Sequence, residues 1–122
     1  YYGPADFVLR SQNQPVKTEP EDSPVHLLLG VAASENKKLA AHASPAFHVT
    51  KDAPPLLIVH GDKDTTVQMD QSQRMIEEYK KAGLEAELQV VPGAGHGGDA
   101  HFTPENRKRV ADFLKKHLKP TE

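Results

Sequence analysis

The strongest constraint on this chain is a short apolar run, Leu56-Leu57-Ile58-Val59, opened by Pro54-Pro55 and cut off by His60-Gly61-Asp62-Lys63-Asp64. Apolar residues without polar alternation read as a strand buried on both faces, the habit of a parallel sheet. A parallel strand needs a partner reached through a crossover, and the next residues supply one. From about Asp70 the period changes: Met75, Ile76, Tyr79 and Ala82 form an apolar stripe on a helix near 70–82, ended by Gly83. Residues 85–91, EAELQVV, alternate and then become continuously apolar, which predicts a second strand. Pro92 to Gly98 reads as a glycine-rich turn. Thr103-Pro104, a capping hydroxyl before a proline at the first helical position, opens a terminal helix near 104–118. Its expected apolar face is Val110, Phe113, Leu114, His117 and Leu118, with lysines outside.

Strand, helix, strand, helix predicts an α/β architecture, with strands near 56–60 and 85–91 parallel across a right-handed crossover. Both strands then end at one edge of the sheet, where open parallel sheets bind ligands. The turns HGDKD and GAGHGG share that edge, brought together because adjacent strands lie about 4.8 Å apart. A carboxylate and an imidazole on neighbouring turns suit the orienting half of a catalytic triad, in which the acid fixes the histidine tautomer. Asp64 lies further beyond the strand than Asp62 and is the better candidate, with Asp62 capping or bracing its own turn. His96, between Gly95 and Gly97, leaves a reactant's approach open, whereas His60 follows the strand directly and is expected beneath the turn.

The first half is less patterned. Pro4, Pro15, Pro20 and Pro24 punctuate residues 3–24, which read as an extended surface segment. Ser34 reads as the N-cap of a short helix, Glu35 to Ala43, stopping before Ser44-Pro45. Tyr1 and Tyr2 are expected to pack at a strand end, with lining a pocket as the alternative. His26, His42, His48, His101 and His117 are expected at the surface or partly buried. The 122 residues suffice for one domain, and a net charge of −2 gives no electrostatic reason to expect nucleic acid or an anionic membrane as partner. Without cysteine there are no disulfides or thiolate metal sites, and the compartment stays open between cytoplasmic and secreted. No apolar stretch approaches the roughly 20 residues of a membrane span.

"PPLLIVHGDKDTTV", a helix with "QS" near its start, "VVPGAGHG" and an amphipathic C-terminal helix together resemble the C-terminal part of α/β-hydrolases. The nearest groups are the feruloyl and acetyl-xylan esterase-like enzymes and the prolyl oligopeptidase family. "YYGPADF" and "ASPAFHVTKDAPP" resemble stretches that such enzymes carry before this strand, so the likeness spans nearly the whole chain and is weakest over 8–24. The resemblance implies a single partial α/β-hydrolase domain: 1–53 a cap or connecting region, and 54–122 the strand-helix-strand-helix unit. It places the acid on Asp64 and the catalytic histidine on His96, in the family order serine, acid, histidine. It implies hydrolysis of a small-molecule carboxylic ester without a cofactor, with a peptide bond as the alternative.

One departure stands out. The family's serine sits in a Gly-x-Ser-x-Gly elbow, and none of Ser11, Ser23, Ser34, Ser44 or Ser72 has the flanking glycines. The chain is therefore expected to be a fragment that supplies acid and histidine to a serine carried elsewhere, inactive unless complemented. Its exposed sheet edge would be covered by a second polypeptide or a second copy. Two rivals accompany this reading. His60, Asp62, Asp64, His96, Asp99 and His101 offer nitrogen and oxygen ligands for zinc or manganese, although their spacing matches no helix-borne ligand pair. The chain could also be a noncatalytic interaction unit.

Overall fold

The computed structural model describes residues 1–14 and 18–118. Two strands, β1 (Leu56–Gly61) and β2 (Ala86–Val91), pair in parallel with Leu56 opposite Ala86 and Gly61 opposite Val91. Ahead of them lie three short helices, α1 (Phe7–Asn13), α2 (Pro24–Leu29) and α3 (Lys37–His42), and a 3-10 turn at Pro45–Phe47. Helix α4 (Met69–Lys81) connects the strands. After β2 come a 3-10 turn, Asp99–Phe102, and helix α5 (Pro104–His117). The expected α/β order is therefore present, with the element ends shifted by a residue or so.

Proline explains where pairing begins. Pro54 and Pro55 lack N–H groups, and the first donor after them, Leu56, reaches the Glu85 carbonyl at 3.1 Å. Asp62 N–H reaches the Val91 carbonyl at 3.3 Å at the other end. Alternate residues of a parallel strand bond to opposite sides. The even-numbered residues of β1 thus face β2, and the odd-numbered ones present their backbone to the opposite edge. There the Val59 carbonyl accepts the Tyr2 N–H at 3.1 Å. Tyr1-Tyr2 lies along that edge as a single-bond neighbour, and among the described residues the sheet has only two strands.

The two faces of β1 take different helices. Val59, Val91 and Ala94 cluster with Leu57 and Val110, on the side of α5. His60, on the opposite face, hydrogen-bonds to Ser72 of α4. Tyr79 of the expected α4 stripe is buried and Met75, Ile76 and Ala82 are half-buried, but the most enclosed α4 residues are the polar Gln71 and Ser72. Helix α5 departs further from expectation. Asn106 is buried and receives the Gln89 amide, while Leu114 and Leu118 stand exposed at 46% and 65%. At roughly 100° per residue, Val110, Phe113 and His117 stay within about 40° of the Asn106 direction, whereas Leu114 is turned about 80° away. A buried amide, not the leucines, sets the phase of this helix.

The reading of residues 3–24 as extended is corrected. Asp6 caps α1 by accepting the Leu9 N–H at 2.9 Å, and Ser23 caps α2, which starts on Pro24 and ends at Gly30 in the left-handed region. Both helices are too short for periodicity to reveal, so capping residues were the available signal. Pro15 lies outside the described residues. The cap of α3 is Asn36 instead of Ser34, whose hydroxyl bonds to the Glu19 carboxylate. Phe7, Val25, Ala33 and Ala40 form a small core for these helices. Two enclosed polar side chains join it to the strand region. Ser44 Oγ accepts the Phe7 N–H at 2.8 Å and donates to the Ala40 carbonyl at 2.6 Å. Gln71 Oε1 accepts the Ala5 and Asp6 N–H groups at 3.1 and 2.9 Å.

At the carboxyl edge β1 and the 92–98 turn come into backbone contact. Lys63 N–H donates to the Ala94 carbonyl at 2.9 Å, and a Cβ added at Gly61 would lie 2.2 Å from that same oxygen. The obstructing atom is main chain, so relief requires moving one turn away from the other. Gly61→Ala is expected to destabilise the fold by about 1–3 kcal/mol, the usual cost of overpacking. Denaturant unfolding followed by circular dichroism checks this, and an unchanged midpoint would contradict the close approach.

Candidate active site

The acid turn is built around Asp64, whose side chain is fully enclosed. Its Oδ1 accepts the Thr66 and Val67 N–H groups at 2.9 and 2.8 Å, an Asx-type arrangement that curls the chain back after the strand. Its Oδ2 lies 2.8 Å from His96 Nδ1 and 3.2 Å from His60 Nε2. One carboxylate thus serves two imidazoles and two amides. Burial alone would raise the Asp64 pKa, but the Val67 N–H, the His96 bond and the Thr66 N–H together outweigh it and hold the pKa below the ordinary carboxylate value. Arg10, a buried guanidinium on α1 that the sequence did not flag, lies within the fields of Asp64 and Asp70. Burial draws its pKa down, and those two carboxylates offset this only in part.

His96 comes from the glycine turn after β2. Because Nδ1 faces a carboxylate it carries the proton, which leaves Nε2 with the lone pair. The side chain is 36% exposed, and Nε2 has no hydrogen-bond partner among the described residues. An oriented imidazole with an available basic nitrogen at an accessible edge is what proton abstraction requires.

His60 differs although it shares the same carboxylate. It is wholly buried, with Nε2 2.8 Å from the Val67 carbonyl and Nδ1 2.5 Å from Ser72 Oγ. Two acceptors at Nε2 place its proton there, and Ser72 donates to Nδ1. Ser72, His60 and Asp64 therefore repeat the atom types of a triad, but Ser72 is 1% exposed and His60 0%. No substrate reaches them, and the string anchors the acid turn to α4. The other serines are likewise committed: Ser11, Ser23 and Ser44 donate to the Val8, Thr18 and Ala40 carbonyls, and Ser34 bonds to Glu19. None of the five bonds to His96.

Asp62 turns away from His96, as its earlier position implies, yet not into its own turn. It accepts the Gly93 N–H at 2.7 Å across the gap and so braces the neighbouring turn. His101, expected at the surface or partly buried, is fully buried because the Asp99–Phe102 turn folds it inward, and among the described residues neither ring nitrogen has a hydrogen-bond partner. Tyr2 stacks edgewise on both His96 and His101. The six candidate metal ligands do not converge: among the described residues no group of three or more histidine or acidic side chains is placed to hold a metal ion. No described helix is long and apolar enough to cross a membrane.

The lowered pKa of Asp64 sets a pH dependence of stability. A carboxyl with a depressed folded-state pKa stabilises the fold above its unfolded value, about 3.9, and loses that contribution as pH falls through the folded value. Asp64→Asn should therefore lower the unfolding midpoint clearly at pH 6, with the gap to the native chain narrowing as the pH is taken down to 2. Paired urea titrations at the two pH values test this, and a gap that widens in acid would contradict the assignment.

Comparison with known proteins bears on this arrangement. Residues 1–79, which include Asp64 and stop short of His96, match the BD-FAE family. Esterase LipC of Mycobacterium tuberculosis is 36% identical over 58 residues, covering 47% of this chain and 14% of LipC. Esterase LipQ of the same organism is 31% identical over 93 residues, covering 73% of this chain and 22% of LipQ. A truncated carbohydrate esterase from gut microbiota superposes with a TM-score of 0.84 at 32% identity, over 95% of this chain and 40% of that protein. The chain thus spans well under half the length of these relatives. With the parallel strands, the flanking helices and the family match together, the chain belongs to the BD-FAE family of esterase-like hydrolases and has the architecture of the α/β-hydrolase fold.

Proposed function

We propose that this chain contributes the acid and the histidine of a Ser-Asp-His triad that hydrolyses carboxylic esters, and that its 122 residues form part of one α/β-hydrolase domain. The observation that carries this reading is the 2.8 Å contact between Asp64 Oδ2 and His96 Nδ1, made by a buried carboxylate and an accessible imidazole. In this reading His96 Nε2 takes the proton of a serine hydroxyl as its oxygen attacks the ester carbonyl. It then returns that proton to the leaving alkoxide, while Asp64 stabilises the imidazolium formed between the two steps. A water molecule attacks the acyl-enzyme by the same route in reverse, releasing the acid and regenerating the serine.

The serine and the oxyanion hole belong, on this proposal, to polypeptide outside these residues. The far edge of β1 is the place for it. Beyond the single Tyr2–Val59 bond no second strand occupies that edge among the described residues. A cavity of about 150 Å³ there is lined by residues that include Tyr1, Leu56, Ile58, Met75 and Gln71, and among the described residues the buried Gln71 Nε2 has no partner. Covering polypeptide, either a serine-bearing segment or a second copy, would satisfy that edge.

The chain alone should show negligible, serine-reagent-insensitive hydrolysis of p-nitrophenyl acetate, because it lacks both the acyl acceptor and the main electrostatic stabiliser. In the complex or longer chain that carries a Gly-x-Ser-x-Gly elbow, His96→Ala should abolish turnover and Asp64→Asn should lower kcat by roughly 10⁴-fold through the wrong tautomer. Asp62→Asn should leave kcat within a few-fold of the parent. Serine-reagent-sensitive turnover by a lone monomer of this chain, established by intact mass and light scattering on the same sample, would sink the proposal.

A further inference from the structure

The orientation of His96 is under-determined by its own loop. Gly95 and Gly97 flank it, so no adjacent side chain restrains the ring. Its one side-chain hydrogen bond, to Asp64, is a single point of attachment for a side chain that is 36% exposed, and small rotations about the side-chain bonds would carry the ring off the carboxylate. Both that bond and the direction of Nε2 depend on how the ring is held, so a second contact must set it.

Tyr2 supplies the contact. Its ring meets the His96 ring at a centroid distance of 4.8 Å with the planes 64° apart. It also meets His101, at 4.8 Å and 74°. His101 is wholly buried and neither of its ring nitrogens has a hydrogen-bond partner among the described residues, so the ring serves packing and gives Tyr2 a fixed backing. The Tyr2 main chain is tied to β1 through the Val59 carbonyl at 3.1 Å. Its φ of +28° makes it the one described non-glycine residue with positive φ, an unfavourable region for a residue with a Cβ. Its hydroxyl end passes so close to Gly97 that a Cβ added there would lie 3.3 Å from Oη. A strained backbone held by surrounding contacts is characteristic of residues placed for a site.

We propose that Tyr2 is a positioning residue for His96: wedged against the buried His101, its ring fixes the tilt of the imidazole so that Nδ1 stays on Asp64 while Nε2 faces outward. Tyr2 takes no proton and touches no reacting atom. The proposal rests on the reading of His96 as the base, for it says how that base is aimed.

Imidazole ¹⁵N spectroscopy on the 122-residue chain tests it without any turnover. The native chain and Tyr2→Phe, which keeps the ring, should show His96 as a single tautomer with the proton on Nδ1. Tyr2→Ala should lose that pattern, with mixed tautomers and a rapidly exchanging Nδ1 proton, while the amide signals of β1 and β2 persist. If Tyr2→Ala loses those amide signals, Tyr2→Leu, which retains bulk without an aromatic plane, takes its place and is read in the same way. An unchanged single tautomer in a folded, ring-less variant overturns the proposal. In the serine-complemented enzyme, Tyr2→Ala should lower kcat by roughly 10- to 100-fold with little change in KM, the scale of a misplaced catalytic group. The spectroscopic result can fail while ester hydrolysis stands, and it can hold even if no ester is ever turned over, so the two readings are separable.

Discussion

Everything at the candidate site depends on the backbone contact between the end of β1 and the turn after β2. Gly61 lets the Ala94 carbonyl approach where no side chain would fit, and Lys63 N–H then bonds to that carbonyl. Asp62 adds a side-chain bond across the same gap, to Gly93. With the turns locked together, Asp64 and His96 fall within hydrogen-bond distance although 32 residues separate them. Parallel pairing is what makes this possible, because it delivers both turns to one edge of the sheet.

The second layer of the design is polar and enclosed. Gln71, Ser72, His60 and Ser44 are almost wholly buried, and each satisfies backbone or side-chain groups from a different element. They take the place of an apolar core that this alanine-rich first half cannot supply. Buried polar groups that find partners in another element favour one arrangement, since each misplacement leaves a further desolvated donor or acceptor. The acid turn gains its rigidity here: His60 is held by Ser72 and the Val67 carbonyl, and it flanks the carboxylate that orients His96.

Sharing Asp64 between two histidines separates them by environment. Both rings lie against the same oxygen, yet one is sealed under the sheet edge and the other reaches solvent. Accessibility, not residue type, distinguishes the exposed ring from the buried one. Tyr2 follows the same logic in reverse, an aromatic ring in contact with one buried and one accessible imidazole.

The amino-acid sequence by itself determined the two strands, the crossover, the terminal helix and the pairing of the two polar turns, because each rests on a local pattern: an apolar run behind Pro54-Pro55, a helical stripe around Tyr79, a Thr103-Pro104 start. It also singled out Asp64 over Asp62, from chain geometry beyond the strand and from family resemblance. Tertiary structure alone decided what local pattern does not encode. Helices α1 and α2 are too short to show a period, and their caps act only once Phe7 and Val25 have a core to bury into. The phase of α5 was set by the partner that Asn106 finds on β2, which left Leu114 outside. The burial of His101, the reach of Asp62 to Gly93 and the packing of Tyr2 on His96 all join residues distant in the chain. Such contacts depend on how the elements dock, and a side chain's partner across a docked interface is written in no single stretch of sequence.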